Sequence, residues 1–136
     1  MEKYLGKFTS QFYALLRIVA GFMFAMHGAQ KLFGWPGQGD TVELLSLMGV
    51  AGIIEFVGGL LIMFGLFASI AAFICSGEMA VAFFMAHASQ HWNPLVNNGE
   101  PAVLYCFLFL YIAARGAGIW SIDGEKERHR YTVPST

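Results

Sequence analysis

Charge is what this sequence has least of. Asp, Glu, Lys and Arg together supply 12% of its 136 residues, about half the share of an ordinary soluble domain. The eight Lys and Arg are scattered and the formal net charge is −1, so the basic patch that a nucleic-acid-binding protein needs is missing. Cysteine is scarce too. Cys75 and Cys106 both sit inside apolar runs, where they read as small buried hydrophobes and supply neither a disulfide framework nor a CxxC or Cys/His metal spacing. A glycine-rich nucleotide loop, a haem-attachment CxxCH and an iron–sulfur pattern are likewise missing. What is abundant is apolar: 57% of the chain is hydrophobic and its mean hydropathy is +0.57. Runs of about 20 apolar residues are long enough to cross roughly 30 Å of hydrocarbon. The composition therefore predicts an all-α, polytopic membrane protein. The polar lead is too long for a good signal peptide and no small-residue cleavage site follows the first run's core, so the first helix is expected to be retained.

The pattern predicts one domain, a bundle of four transmembrane helices over residues 12–122, with spans at about 12–33, 46–65, 69–88 and 101–120. A polar lead, 1–11, precedes it and a charged, solvated tail, 123–136, follows. The second and third spans form one apolar stretch too long for a single helix, and Gly65-Leu66-Phe67-Ala68-Ser69 is the natural hairpin between them. Pro101 suits a first helical turn. Lys3, Lys7, Lys126, Arg128 and Arg130 flank the termini, whereas the two long loops carry Asp40, Glu43 and Glu100. The positive-inside rule then places both termini in the cytoplasm. Trp35, Trp92 and Trp120 fall at predicted span ends, as an aromatic belt would.

Against this apolar background a few charges stand out. In the second span Gly49, Gly52, Glu55 and Gly59 share one helix face, which lets a neighbour approach closely and points a carboxylate into the protein. In the first span Arg17, Gly21, Phe24, Gly28 and Lys31 form a matching stripe, with His27 beside it. Glu78 lies mid-way along the third span on a face with Cys75, Ala82 and Met85, while His87 points elsewhere. Arg115 lies in the fourth. Counted in Cα positions, the acids lie roughly 6–8 Å deeper than the arginines, within reach of an arginine side chain. Arg17, Glu55, Glu78 and Arg115 are thus predicted to form a neutral inner seam, with His27, Lys31, His87 and Glu100 at an outer mouth.

Two readings of that seam stand side by side. Buried charges need partners in any membrane protein, so the seam can simply fix helix register. It can equally form a polar, proton-handling pocket for a ligand inside the bundle. His87 and His91 have an i, i+4 spacing. The sequence supplies no third metal ligand, so they read as interface histidines beside Trp92.

The chain resembles the DoxX family of small four-span membrane proteins. The resemblance rests on Leu16-Arg17-Ile18 through Gly28-Ala29-Gln30-Lys31-Leu32-Phe33, then Glu55-Phe56-Val57-Gly58-Gly59-Leu60. It continues with Glu78-Met79-Ala80-Val81-Ala82 and Ala86-His87, then Asn98-Gly99-Glu100, and ends with Gly116-Ala117-Gly118-Ile119-Trp120-Ser121-Ile122-Asp123. Ala117 stands where relatives often have proline, which implies a softer helix end. The family takes its name from a subunit linked to thiosulfate:quinone oxidoreductase, and other relatives are associated with quinone or catechol stress and with membrane-anchored redox assemblies. The resemblance implies a prokaryotic plasma-membrane protein and a redox accessory holding a quinone or a similar aromatic. Its partners would be the bilayer and a membrane or peripheral redox protein; the glycine faces of the helices permit, besides packing within one chain, contact with a second copy. It carries no catalytic role across to Arg17, Glu55, Glu78 or Arg115. The alternative from a different class is a non-enzymatic scaffold or small transport unit whose buried charges are structural.

Overall fold

The computed structural model of the chain describes residues 1–37 and 39–132. The regular structure of these residues is helical, with no strand among them. A single turn, α1 (Glu2–Leu5), and a 3-10 turn (Gly6–Phe8) lead into α2 (Thr9–Phe33). The others are α3 (Leu47–Phe64), α4 (Ala68–Ala82), α5 (Glu100–Arg115) and α6 (Ile122–Thr132). A π-helical turn, Phe83–His87, extends α4.

Among the described residues three stretches are long and apolar enough to cross a membrane: Glu2–Phe33, Leu47–Phe64 and Ala68–His87. The predicted fourth span is shorter than expected. Its helix stops at Arg115, because Gly116 and Gly118 take positive φ and turn the chain back. Sixteen residues reach only about 24 Å. The tail, expected as a charged, solvated end, is helical over Ile122–Thr132 and exposed from Glu125 to Arg130; its last residues, 133–136, lie outside the described ones. Asp123 docks its start. The carboxylate accepts a hydrogen bond from the Ala68 amide (3.1 Å) and the Asp123 amide donates to the Gly65 carbonyl (3.0 Å).

The hairpin between α3 and α4 falls where the sequence puts it. Gly65, in the left-handed region at φ 67°, ends α3, and α4 opens at Ala68. At the other end of α3, the Ser46 hydroxyl accepts from the Gly49 amide (3.0 Å) and caps the helix.

Glycine sets how α2 meets α3. A methyl group on Gly21 would stand 2.6 Å from the Met63 nitrogen and 2.7 Å from the Gly59 carbonyl. On Gly28 it would run into the backbone of Phe56, and on Gly59 into that of Ala25. The two helices therefore touch backbone to backbone, the close approach that small residues permit in a bilayer. Between α2 and α5 the contact is aromatic instead. Phe24 lies edge-on to Phe109 at 4.7 Å and tilted against Tyr105 at 5.3 Å. Phe24, Phe109, Ile62, Ile112 and Cys75 form the centre of the core.

Candidate functional site

The predicted inner seam divides in two. Arg17 is fully buried (0% exposed) and meets neither carboxylate. Its Nη1 donates to the carbonyls of Ile62 and Met63, both at 2.7 Å, and its Nη2 to those of Trp120 (2.6 Å) and Ile119 (3.3 Å). Ile62 and Met63 belong to the last turn of α3, whose carbonyls form the negative end of its dipole; that of Ile62 also accepts from the capping Gly65 amide at 3.1 Å. Arg17 therefore ties α2 to the end of α3 and to the turn after α5. Arg115 is not buried. It lies exposed, over the ring of Tyr13 at 4.4 Å and 3.4 Å from the Tyr111 hydroxyl.

The physical reason is side-chain direction, which counting Cα depths ignores. Helical side chains lean toward their helix's N-terminus. On α2 that direction carries Arg17 away from the middle of the bundle and brings Lys31 toward it. On antiparallel α3 it tilts Glu55 toward Lys31. Lys31 Nζ and Glu55 Oε1 accordingly pair at 2.7 Å, with Glu55 only 3% exposed. A residue assigned to the mouth thus partners a residue assigned to the seam.

This pair lines a cavity of about 530 Å³ bounded by α2, α3, α4 with its π-turn, and α5. Glu78 enters from α4, within electrostatic reach of Glu55 and Lys31. One oxygen of each acid, Glu55 Oε2 and Glu78 Oε2, is buried without a hydrogen-bond partner. His27 and His87 complete the polar part. Most of the remaining wall is apolar, and Val50, Ile74, Val81 and Met85 are themselves exposed on the outside of the bundle. The cavity thus reaches the surface that apolar side chains cover.

His87 was expected to point elsewhere, and the π-turn changes that. Nine residues after Glu78, at about 100° each, a regular helix would carry His87 to the opposite face. The extra residue of the Phe83–His87 turn takes up roughly one such step. His87 Nδ1 then hydrogen-bonds the Asn97 carbonyl at 2.9 Å. His91 is occupied separately, its Nδ1 accepting from the Asn93 amide at 3.0 Å. Glu100 does not join the cavity. It is exposed and lines a separate apolar groove with Leu16, Met23 and Leu104.

Tyr105 was missed. It lines the cavity from α5 and meets the His27 ring edge-on at 6.2 Å. Its spacing to Ala102 and Phe109, both buried, was the available signal. Among the described residues no cluster of three or more His, Cys, Asp and Glu is arranged to hold a metal ion. Cys75 and Cys106 are both free thiols.

Comparison with known proteins follows the same lines. An uncharacterized protein of Haemophilus influenzae is 43% identical over 129 residues, covering 89% of this chain and 95% of its own length. A Bacillus subtilis protein named "Putative oxidoreductase CatD" is 26% identical over 116 residues, covering 80% of this chain and 82% of its own. No solved structure matches the chain. The DoxX family profile matches residues 12–88, more than half of the chain and the stretch that holds Arg17, Lys31, Glu55, Glu78 and His87. The chain belongs to the DoxX family.

Proposed function

We propose that this membrane protein is an accessory of a redox system and that its cavity holds a lipid-soluble quinone or a similar aromatic. The carrying observation is the cavity itself. It has a buried Lys31–Glu55 pair and Glu78 at its polar end, apolar walls elsewhere, and about 530 Å³ of room. That volume falls within the ~300–1,000 Å³ typical of small-molecule pockets. Such a site suits a ring with polar oxygens carried on an apolar tail. Val50, Ile74, Val81 and Met85 give the tail a path to the lipid. The name of the Bacillus subtilis relative agrees with a redox role. With no haem, flavin or nucleotide motif in the sequence, the electrons would come from the bound aromatic or from a partner redox protein.

In this reading α5 is the fourth span, packed by Phe109 and Ile112 although it is short. The protein lies in a prokaryotic plasma membrane with both termini cytoplasmic, and the hairpin end of the bundle faces the cytoplasm. A second copy of the chain is a further expected partner.

Arg17 favours a second reading for its own end of the bundle. All its hydrogen bonds go to carbonyls, so that charge is structural, as it would be in a scaffold or small transport unit. Extraction decides between the two. Protein purified in mild detergent is extracted with organic solvent and analysed by mass spectrometry beside an unrelated membrane protein. A stoichiometric quinone or isoprenoid aromatic is expected. Bulk phospholipid alone, at control level, would overturn the redox-accessory reading in favour of the scaffold.

A further inference from the structure

A second polar pocket lies at the hairpin end of the bundle and shares no lining residue with the cavity of Lys31 and Glu55. It has about 580 Å³ of room. Three cations line it from two separate elements. Arg115 ends α5, and Lys126 and Arg130 stand i, i+4 on one face of α6. Among the described residues none of the three belongs to an ion pair. Two acids line the pocket as well, Asp123 and Glu127. Asp123 is committed elsewhere: it accepts from the Ala68 amide at the start of α4, where the helix dipole favours a negative charge. The turn after α5 adds the amides of Ala117, Gly118 and Ile119, which donate to no described acceptor. Like charges gathered in one place repel, so the pocket suits an anion.

Its place says which kind of anion. Phe67 of the hairpin and Ser69 of the first turn of α4 form one wall, so the pocket sits where two spanning helices leave the bilayer. The faces that enter it continue into the membrane as apolar surface. Phe73, one turn on from Ser69, is exposed, and so are Tyr111 and Phe107, one and two turns before Arg115. An anion on apolar chains can seat its charge among the cations and lay its chains along these residues. We infer that the pocket binds the phosphate of an anionic phospholipid. Arginine grips a phosphate with two parallel N–H groups and lysine holds it as a point charge. Such a lipid is structural: it joins α5 to α6 from outside, at the end of the bundle that Arg17 ties from within. The inference needs the membrane spans and not the quinone, so either can fail without the other.

The test counts bound lipid by native mass spectrometry on the protein purified in mild detergent. It is titrated with dioleoyl phosphatidylglycerol or with dioleoyl phosphatidylcholine, whose headgroup brings a cation of its own to the cluster. Wild type should bind phosphatidylglycerol at least about tenfold more tightly. Each basic residue near an anionic headgroup is worth about fivefold. Arg115→Gln combined with Lys126→Gln should therefore weaken phosphatidylglycerol binding at least about tenfold. Glu127→Gln, which removes a competing carboxylate, should strengthen it. Lys3→Gln with Lys7→Gln takes two charges from the same end without touching the pocket, and the preference should stay. Equal binding of the two lipids by wild type would overturn the inference. So would a preference that survives the loss of Arg115 and Lys126, or one that falls as far in the Lys3→Gln, Lys7→Gln protein. Inorganic phosphate bound as tightly as phosphatidylglycerol would assign the pocket to a soluble anion and overturn the lipid. The preference of the unmodified protein does not depend on how any variant folds.

Discussion

Two cations on one helix, Arg17 and Lys31, share a face of α2 and differ in what surrounds them. Arg17 is enclosed by peptide carbonyls at the hairpin end, two from the last turn of α3 and two from the turn after α5. Lys31 has a single carboxylate partner and borders a cavity that holds a second, unpaired acid. The first arrangement fixes chain geometry and leaves no room for a ligand. The second leaves acceptors unfilled, which is a poor way to hold a bundle together and a good way to bind something. The difference follows from helix direction. Side chains lean toward the N-terminus, so the same stripe of sequence sends one cation to the helix ends and the other into the interior.

The largest effect should come from removing Arg17. Arg17→Ala removes the guanidinium from four carbonyls, of which Ile62 alone is shown with a second donor, the Gly65 amide, and a loss on the order of 3–5 kcal/mol is expected, seen as a lower unfolding temperature in detergent. Adding Glu55→Gln should give no recovery, because the two residues do not meet; rescue by that double variant would restore the predicted Arg–Glu seam and break the contrast. Next comes the Lys31–Glu55 pair. Glu55→Gln should lower stability by about 1–3 kcal/mol, since Lys31 keeps its charge without a partner. Lys31→Met in the same chain should return at least half of that loss, and the double-variant cycle measures the coupling directly. Quinone or quinol binding should be lost in both the single and the double variant. Glu78→Gln should change stability by less than about 1 kcal/mol, while weakening binding of a quinone at the cavity. The smallest effect is reserved for Arg115→Gln. Its exposed stacking on Tyr13 contributes about 0.5–1 kcal/mol, and ligand binding should not move.

Much of this was legible beforehand. The apolar runs gave the helices, Gly65 gave the hairpin, and the glycine stripes of α2 and α3 gave the face on which they meet. The residues of the cavity were named as charged or polar exceptions in an apolar chain, all but Tyr105. Their partners were not legible. Pairing depends on where a long side chain ends, and the same lean toward the N-terminus of α2 takes Arg17 out of the middle of the bundle and Lys31 into it. His87 reached the cavity through a π-turn that the sequence does not announce. The end of α5 and the docking of Asp123 depend on positive-φ glycines at 116 and 118, which read equally well as a helix packing face.

The most direct test sets the two cations against each other in one assay. Binding of a decyl-tailed benzoquinone is titrated on Lys31→Met and on Arg17→Lys proteins, each held well below its own unfolding temperature. Lys31→Met should weaken binding at least about tenfold, the worth of a charged hydrogen bond and its partner's orientation, while Arg17→Lys, though less stable, should bind nearly as well as wild type. Equal losses in the two proteins, or the greater loss in Arg17→Lys, would contradict the assignment of structure to one end of the bundle and function to the other.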